Sequence, residues 1–286
     1  MRYLFFRLLF WASWLVFPVF AFIIHDGVHG WAEALTIMFS FVFIWGRFVE
    51  RYIIVERNIG QGDLKIGIIS DLHLGAYKGQ NFLTRLVDKI NAGEPDLVLI
   101  PGDFVFAAKA KDLGQMFEGL GRIKAPTFAV LGNHDLKPTG EFSKEEIYRA
   151  LEGKVKMIDN KGVDLEIRGH RFHLLGIGSL MAKDDNYEMV ERARGKIVLL
   201  AHNPDSAHKF ANKDVRVMIC GHTHGGQIKF WPLHKLLIPC VHMFERGWHD
   251  VKGMKVFVSS GTGEVGLPLR FLLMPEVVFM RLNLDA

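Results

Sequence analysis

The chain has 286 residues, 35 Lys and Arg against 31 Asp and Glu, a formal charge of +4, and 49% hydrophobic residues. An excess this small, partly in arginines that flank apolar runs, gives little support to a nucleic-acid binder, and no nucleic-acid partner is expected. Two cysteines do not make a disulfide framework, and Cys220, closing Val217-Met218-Ile219, reads as a buried core thiol.

The apolar excess sits at the front of the chain. Leu8 to Ile24 carries no charge, and a second apolar stretch runs from Ala34 to Gly46 and is closed by Arg47. A membrane span needs about 20 apolar residues, so the first segment qualifies; the second does so if it uses Gly27 to Trp45 and tolerates Glu33. Arg2 and Arg7 precede the pair and Arg47, Arg51 and Arg57 follow it, while the loop between them lacks Lys and Arg. This predicts an N-terminal membrane hairpin over residues 1–50, with both ends cytoplasmic, in the inner membrane. A cleaved signal peptide is the competing reading, but no small-x-small site followed by a polar region is visible.

Beyond Arg51 the pattern is β-α-β. Strands are expected at Leu64 to Ser70, Asp96 to Ile100 and Thr127 to Leu131, with helices at Asn81 to Asn91 and Lys111 to Ile123. Ser143 and Glu146 form a capping box that opens a helix through Leu151, and Val163 to Arg168 pairs with Arg171 to Gly176 as a hairpin. Asn186 to Arg194 is a short helix, and Ile197 to Ala201, Val215 to Cys220, Lys255 to Ser259 and Glu276 to Leu284 are later strands. Residues 60–286 thus read as one catalytic domain.

Polar clusters end these strands. They are Asp71 and His73 in Ser-Asp-Leu-His, Asp103 in Pro-Gly-Asp, Asn133 and His134 in Gly-Asn-His-Asp, His202 in Ala-His-Asn, and His222 and His224 in Gly-His-Thr-His-Gly. In open α/β sheets ligands bind at the carboxyl ends of strands, so five loops can converge on one site. Carboxylate, imidazole and amide donors without thiolate select Mn²⁺, Fe or Zn²⁺ in a catalytic rather than a structural role. Two such ions about 3.5–4 Å apart can polarise a shared water for in-line attack on phosphorus.

The ordered set D-x-H, G-D, G-N-H-D, H, G-H-x-H resembles the calcineurin-like metallophosphoesterase superfamily over residues 64–284. The resemblance implies a four-layer α/β/β/α sandwich around two divalent ions, Mn first, with Fe or Zn as alternatives. It implies that Asp71, His73 and His224 hold one ion, that Asn133, His202 and His222 hold the other, and that Asp103 bridges them. His134 would contact a phosphoryl oxygen or protonate the leaving group. The chain departs from the usual G-D-x-x-D, because Phe106 stands where an acid would orient His134, so the partner of His134 is open.

The apolar stretch Phe230 to Pro239 follows the two-histidine turn and is expected either to pack in the core or to form a lip beside the site. Together with the anchor and the resemblance to membrane-associated bacterial members of that superfamily, the lip reading implies a lipid-linked phosphodiester or pyrophosphate, with UDP-2,3-diacylglucosamine as the best single example. The alternatives are a phosphodiesterase or phosphatase of soluble substrates, and a membrane scaffold that retained the fold without catalysis. All seven expected ligands are present, which argues against the scaffold.

Overall fold

Short runs rich in β-branched and aliphatic residues form two six-stranded sheets in the computed structural model, which describes residues 1–26, 30–210, 212–230 and 233–284. The first sheet has the order β1 (Val55–Gly60), β14 (Glu276–Leu282), β2 (Leu64–Ile68), β4 (Leu97–Pro101), β6 (Thr127–Val130), β7 (Lys156–Met157). The second has the order β12 (Gly247–Val251), β13 (Met254–Val258), β11 (Val215–Cys220), β10 (Ile197–Leu200), β9 (His170–Gly176), β8 (Lys161–Ile167). Their central strands β2, β4, β6 and β9, β10, β11, β13 run parallel within each sheet. A two-stranded parallel pair, β3 (Leu74–Gly75) with β5 (Val105–Phe106), sits just past the carboxyl ends of β2 and β4.

Side-chain alternation sorts each strand between two cores. Ile66, Ile68, Leu97, Leu99, Val278 and Met280 of the first sheet share one apolar cluster with Val198, Leu200, Val217 and Ile219 of the second. The opposite faces of β4 and β14, Val98, Ile100, Val277 and Phe279, instead meet helices α4 (Gln80–Ala92) and α6 (Lys144–Leu151). Helix α4 follows from Phe82, Leu83, Leu86, Val87 and Ile90, which form one buried stripe. Each such buried aliphatic side chain contributes about 1.5–3 kcal/mol. On the far side of the second sheet, Ile197, Leu199, Met218 and Val256 pack with Val190 of α7 (Glu188–Arg192). The capping box is present in both directions, with Glu146 N–H donating to Ser143 Oγ at 3.3 Å and Ser143 N–H to Glu146 Oε2 at 2.7 Å.

The short strands β3, β5 and β7 and the edge strand β12 add to the expected set, and two further differences have a local cause. The helix expected over Lys111 to Ile123 breaks into tight turns around the short α5 (Leu113–Met116), because Gly114, Gly119 and Gly121 remove helix propensity at three positions. β1, which has no apolar run, pairs in parallel with β14 and carries the first sheet back to Val55.

At the front, α1 (Arg2–Ala12), a single tight turn and α2 (Val16–Asp26) follow one another, and Arg2–Phe22 is the one helix among the described residues long and apolar enough to cross a membrane. The turn at 27–29, where a hairpin would reverse toward α3 (Trp31–Ile44), lies outside the described residues. Helix α1 lies against the globular part. Phe6 packs on Tyr77 and Phe106, Phe10 stacks on Tyr77, and Arg7 donates to the Ala76 carbonyl at 3.2 Å. Leu4, Phe5, Leu8 and Trp11 are left exposed on its other side.

Candidate metal centre

The loops that leave β2, β4, β6, β10 and β11 bring all eight expected residues together, and every one except His134 is buried. The donor atoms fall into two groups, Asp71, His73 and His224, and Asp71, Asp103 and His202, each with its ligand atoms within 4.8 Å of one another. His73 Nε2 is 3.0 Å from His224 Nε2 and 3.5 Å from Asp103 Oδ2. On the other side of Asp103, His202 Nε2 lies 3.3 Å from the same Oδ2, 3.0 Å from Asn133 Oδ1 and 3.2 Å from His222 Nδ1. Asp103 therefore stands between two sets of imidazoles.

The donors fit a pair of divalent cations. Two facing ring nitrogens share at most one proton, whereas a cation satisfies both lone pairs. A separation of about 3 Å is what two nitrogens adopt at right angles, each about 2.1 Å from a common ion. The remaining ring positions are tied to backbone: His202 Nδ1 lies 2.7 Å from the Pro101 carbonyl and His222 Nε2 2.8 Å from that of Pro239, which sets their tautomers for metal binding.

The backbone is strained where the candidate ligands sit. Asp71, His73, Asp103, His222 and His224 have φ of 51°, 44°, 57°, 74° and 50°, a left-handed conformation that costs a non-glycine residue about 1–2 kcal/mol. Two glycines make the close approach possible. A Cβ at Gly132 would strike the Asp103 carboxylate, and one at Gly221 would strike Ser70 Oγ and the carboxylate of Asp71. The motif glycines are thus steric requirements of their neighbours.

Burial and mutual proximity polarise the ionisable groups. Burial opposes ionisation of Asp103, yet the imidazoles of His202 and His134 hold its carboxyl well below the usual range. Burial would depress His202, but the Asp103 carboxylate overrides it and carries the pKa to about 9. Asp71 is raised to about 7 by burial, against the pull of His202. Burial and His202 push His222 down to about 4, and burial holds His73 and His224 well below their ordinary value. Three imidazoles are therefore neutral, with lone pairs open to a cation.

A pH-dependent uptake of metal follows. At pH 7 the metal-free site retains the His202 proton and part of the Asp71 proton, so a divalent ion displaces about one to two protons. Rising pH removes that competition, and apparent affinity should increase between pH 6 and about pH 9 and then level off. Calorimetric Mn²⁺ titration in buffers of different ionisation enthalpy reads the released protons directly; no release at pH 7 would contradict the assignment.

Sequence reasoning missed three contributors. Asp135 is wholly buried; its Oδ1 accepts from Val105 N–H at 3.0 Å and its Oδ2 from Gly132 N–H at 2.9 Å, which ties the Asp103 loop to the Asn133 loop. Burial and the nearby Asp103 raise its pKa to about 8. Buried Arg270 places Nη2 3.4 Å from His224 Nδ1 and donates to Ser260 O at 2.9 Å. Arg2, far away in sequence, reaches His134 Nδ1 at 3.3 Å.

A cavity of about 530 Å³ opens onto this cluster, lined by Asn133, His134, His222 and His224 on one side and by Met181 and Leu237 among its apolar residues. In the Phe230 to Pro239 stretch, Phe230 and Leu237 are exposed while His234 and Ile238 are buried; Trp231, Pro232 and the Leu236 side chain lie outside what the structure describes. Leu267 and Leu272 add exposed apolar surface.

The family profile of calcineurin-like phosphoesterases matches residues 64–226. An uncharacterized metallophosphoesterase of Campylobacter jejuni is 33% identical over 235 residues, covering 77% of this chain and 59% of that one. Phosphodiesterase YaeI of Escherichia coli is 27% identical over 222 residues, covering 76% and 82%. A transmembrane protein with metallophosphoesterase domain from Danio rerio is 30% identical over 245 residues, covering 75% and 52%. The chain spans 59% and 60% of the first two curated relatives it matches.

Proposed function

This chain belongs to the calcineurin-like phosphoesterase family, and we propose that it is a phosphoester hydrolase whose residues divide the work as follows. Asp71, His73 and His224 would hold one divalent ion and Asn133, His202 and His222 the other, with Asp103 as the carboxylate shared between the two sets, inside a four-layer α/β/β/α domain spanning residues 60–286. Manganese is the first choice of metal, with Fe or Zn as alternatives. The observation that carries this reading is the convergence of buried carboxylate and imidazole donors at five strand ends. When bound, the ion pair supplies Lewis acidity toward a phosphoryl oxygen and acidifies a water. Asp103 contributes the one firmly ionised carboxylate between the two donor sets. His134, lining the cavity and held below its usual pKa by burial, donates a hydrogen bond to a phosphoryl oxygen or a proton to the leaving group.

The substrate reading rests on where apolar surface lies. Met181, Leu237 and Leu267 line the cavity beside His134 and His224, and Leu4, Phe5, Leu8 and Trp11 form an outward apolar strip on α1. An enzyme anchored by its first 50 residues at the cytoplasmic leaflet would thereby draw a lipid-linked phosphodiester or pyrophosphate into the cavity. UDP-2,3-diacylglucosamine is the type of molecule that fits. Each methylene buried against the lip contributes about 0.8 kcal/mol, so several should favour the acylated substrate by 10-fold or more in kcat/KM. Acylated and deacylated forms are to be compared in mixed micelles with Mn²⁺, alongside Met181→Ser and Leu237→Ser. Equal turnover that ignores both substitutions would favour the second reading, a phosphodiesterase or phosphatase of soluble substrates; the likeness to phosphodiesterase YaeI supports phosphodiester hydrolysis.

The anchor has its own test. In a Cys240→Ser background, a cysteine replacing exposed Trp31, the first residue of α3, should react with an impermeant thiol reagent in intact cells, and one replacing exposed Lys111 should not. Labelling of the Lys111 position alone would place the catalytic domain outside.

A further inference from the structure

Phe106 occupies the position from which an acid would orient His134, and its ring, 5.6 Å from the His134 ring at 66°, offers no hydrogen bond. Arg2 fills the gap. Its Nη2 lies 3.3 Å from His134 Nδ1, with the first turn of α1 seated on the rim of the site. A guanidinium can only donate, so Nδ1 accepts, and the ring carries its proton on Nε2. The guanidinium is itself fixed. It lies 5.4 Å from the centroid of the Phe106 ring, Nη1 donates to the Thr139 carbonyl at 3.5 Å, and Nε is 3.9 Å from Glu141 Oε1. Glu141 in turn accepts from Ala108 N–H at 3.1 Å through its other oxygen. The aromatic side chain that removes the usual partner therefore supplies the face on which the new one rests.

We infer that Arg2 is a positioning residue for His134, fixing the ring's tautomer and orientation, so that docking of the membrane-proximal helix α1 completes the active site. Helix α1 is held independently of that contact by Phe6 and Phe10 on Tyr77 and Phe106 and by Arg7 on the Ala76 carbonyl. The cationic partner also differs in kind from an acid. It leaves Nδ1 as the acceptor and the proton on Nε2, whereas a carboxylate would accept from a protonated Nδ1. A neutral ring with a fixed Nε2–H acts as a hydrogen-bond donor whose geometry matters more than its charge.

The inference rests on the proposed role of His134, and a double-mutant cycle in the full-length chain separates the two. Arg2→Ala, Arg2→Lys, His134→Ala and Arg2→Ala/His134→Ala are assayed in detergent with Mn²⁺ on bis(p-nitrophenyl) phosphate and on a methyl p-nitrophenyl phosphodiester, with melting temperature as the fold control. Arg2→Ala should lower kcat by about 10- to 100-fold with little change in KM, and Arg2→Lys should recover part of the loss. In the His134→Ala background, removal of Arg2 should cost nothing further. The same fold-loss from Arg2→Ala in both backgrounds, or a loss confined to KM, would overturn the positioning role and leave His134 standing. Parent-like kcat in Arg2→Ala would do the same. Parent-like turnover by His134→Ala would remove both the role of His134 and the inference built on it.

Discussion

Asp103→Asn is expected to abolish metal-dependent hydrolysis of a chromogenic phosphodiester while the protein stays folded. The substitution keeps shape and one acceptor, since Oδ1 receives the His134 N–H at 2.8 Å and an amide oxygen can do the same. What disappears is the negative charge set 3.5 Å from His73 Nε2 and 3.3 Å from His202 Nε2. Without it His202 loses the partner that lifts its pKa to about 9, and the two donor sets lose their common anion. The forfeited stabilisation is at least about 4 kcal/mol, on the order of 10³-fold in rate. Measurement of kcat and bound metal on the same samples checks this. Full activity in metal-stripped Asp103→Asn protein would refute the two-ion mechanism.

Glu264→Gln should produce the largest loss of stability. The Glu264 side chain is fully buried and faces three cations: Arg51 at 2.8 Å, Lys78 at 2.7 Å and Arg270 at 3.8 Å, all with no exposed side-chain surface. Breaking a buried charge cluster by removing one partner costs about 3–5 kcal/mol, because the remaining charges stay desolvated without compensation. Burial already pushes the Lys78 pKa down to about 7, with Glu264 opposing, so in the variant Lys78 sheds its proton more readily still. The deficit should therefore be greatest near pH 6 and shrink toward pH 9. Denaturation midpoints in detergent at both values read it, and a parent-like midpoint at pH 6 would contradict the account. Arg51 lies in the segment joining the apolar N-terminal helices to the sheets, and Arg270 stands behind His224, so the same cluster ties the N-terminal helices to the candidate metal site.

The convergence of the candidate residues was legible because strand, loop and polar cluster recur in one order. An apolar run ends in a polar cluster, and parallel strands gather those ends on one edge. Asp71, His73, Asp103, Asn133, His134, His202, His222 and His224 could be named from that pattern, and the structure brings them together. The left-handed backbone of five of them could not be seen, because it is imposed by the packing of loops and, even for Asp and His, is adopted by only a minority of residues. Asp135 sits in plain view inside Gly-Asn-His-Asp, but its task, holding two loops by their amides, depends on a fold that brings Val105 to it. Arg2 was read as a topology signal and turned out to touch His134 across 132 residues of chain, a contact that only the docking of α1 creates. Phe106 was the one local clue, since it announced that the partner of His134 had to come from elsewhere. Among the strands, β1 escaped notice because its alternation carries Glu56 and Asn58 at an edge rather than an apolar run.

The central claim, hydrolysis through two ions held by seven side chains, is tested most directly by adding Mn²⁺ stepwise to metal-stripped full-length protein while bound metal and phosphodiester turnover are measured on the same samples. The account predicts saturation at about two ions per chain, with turnover appearing as the second is taken up and absent from Asp103→Asn at every step. Full turnover with no bound metal, or a single ion sufficing for full turnover, would contradict it.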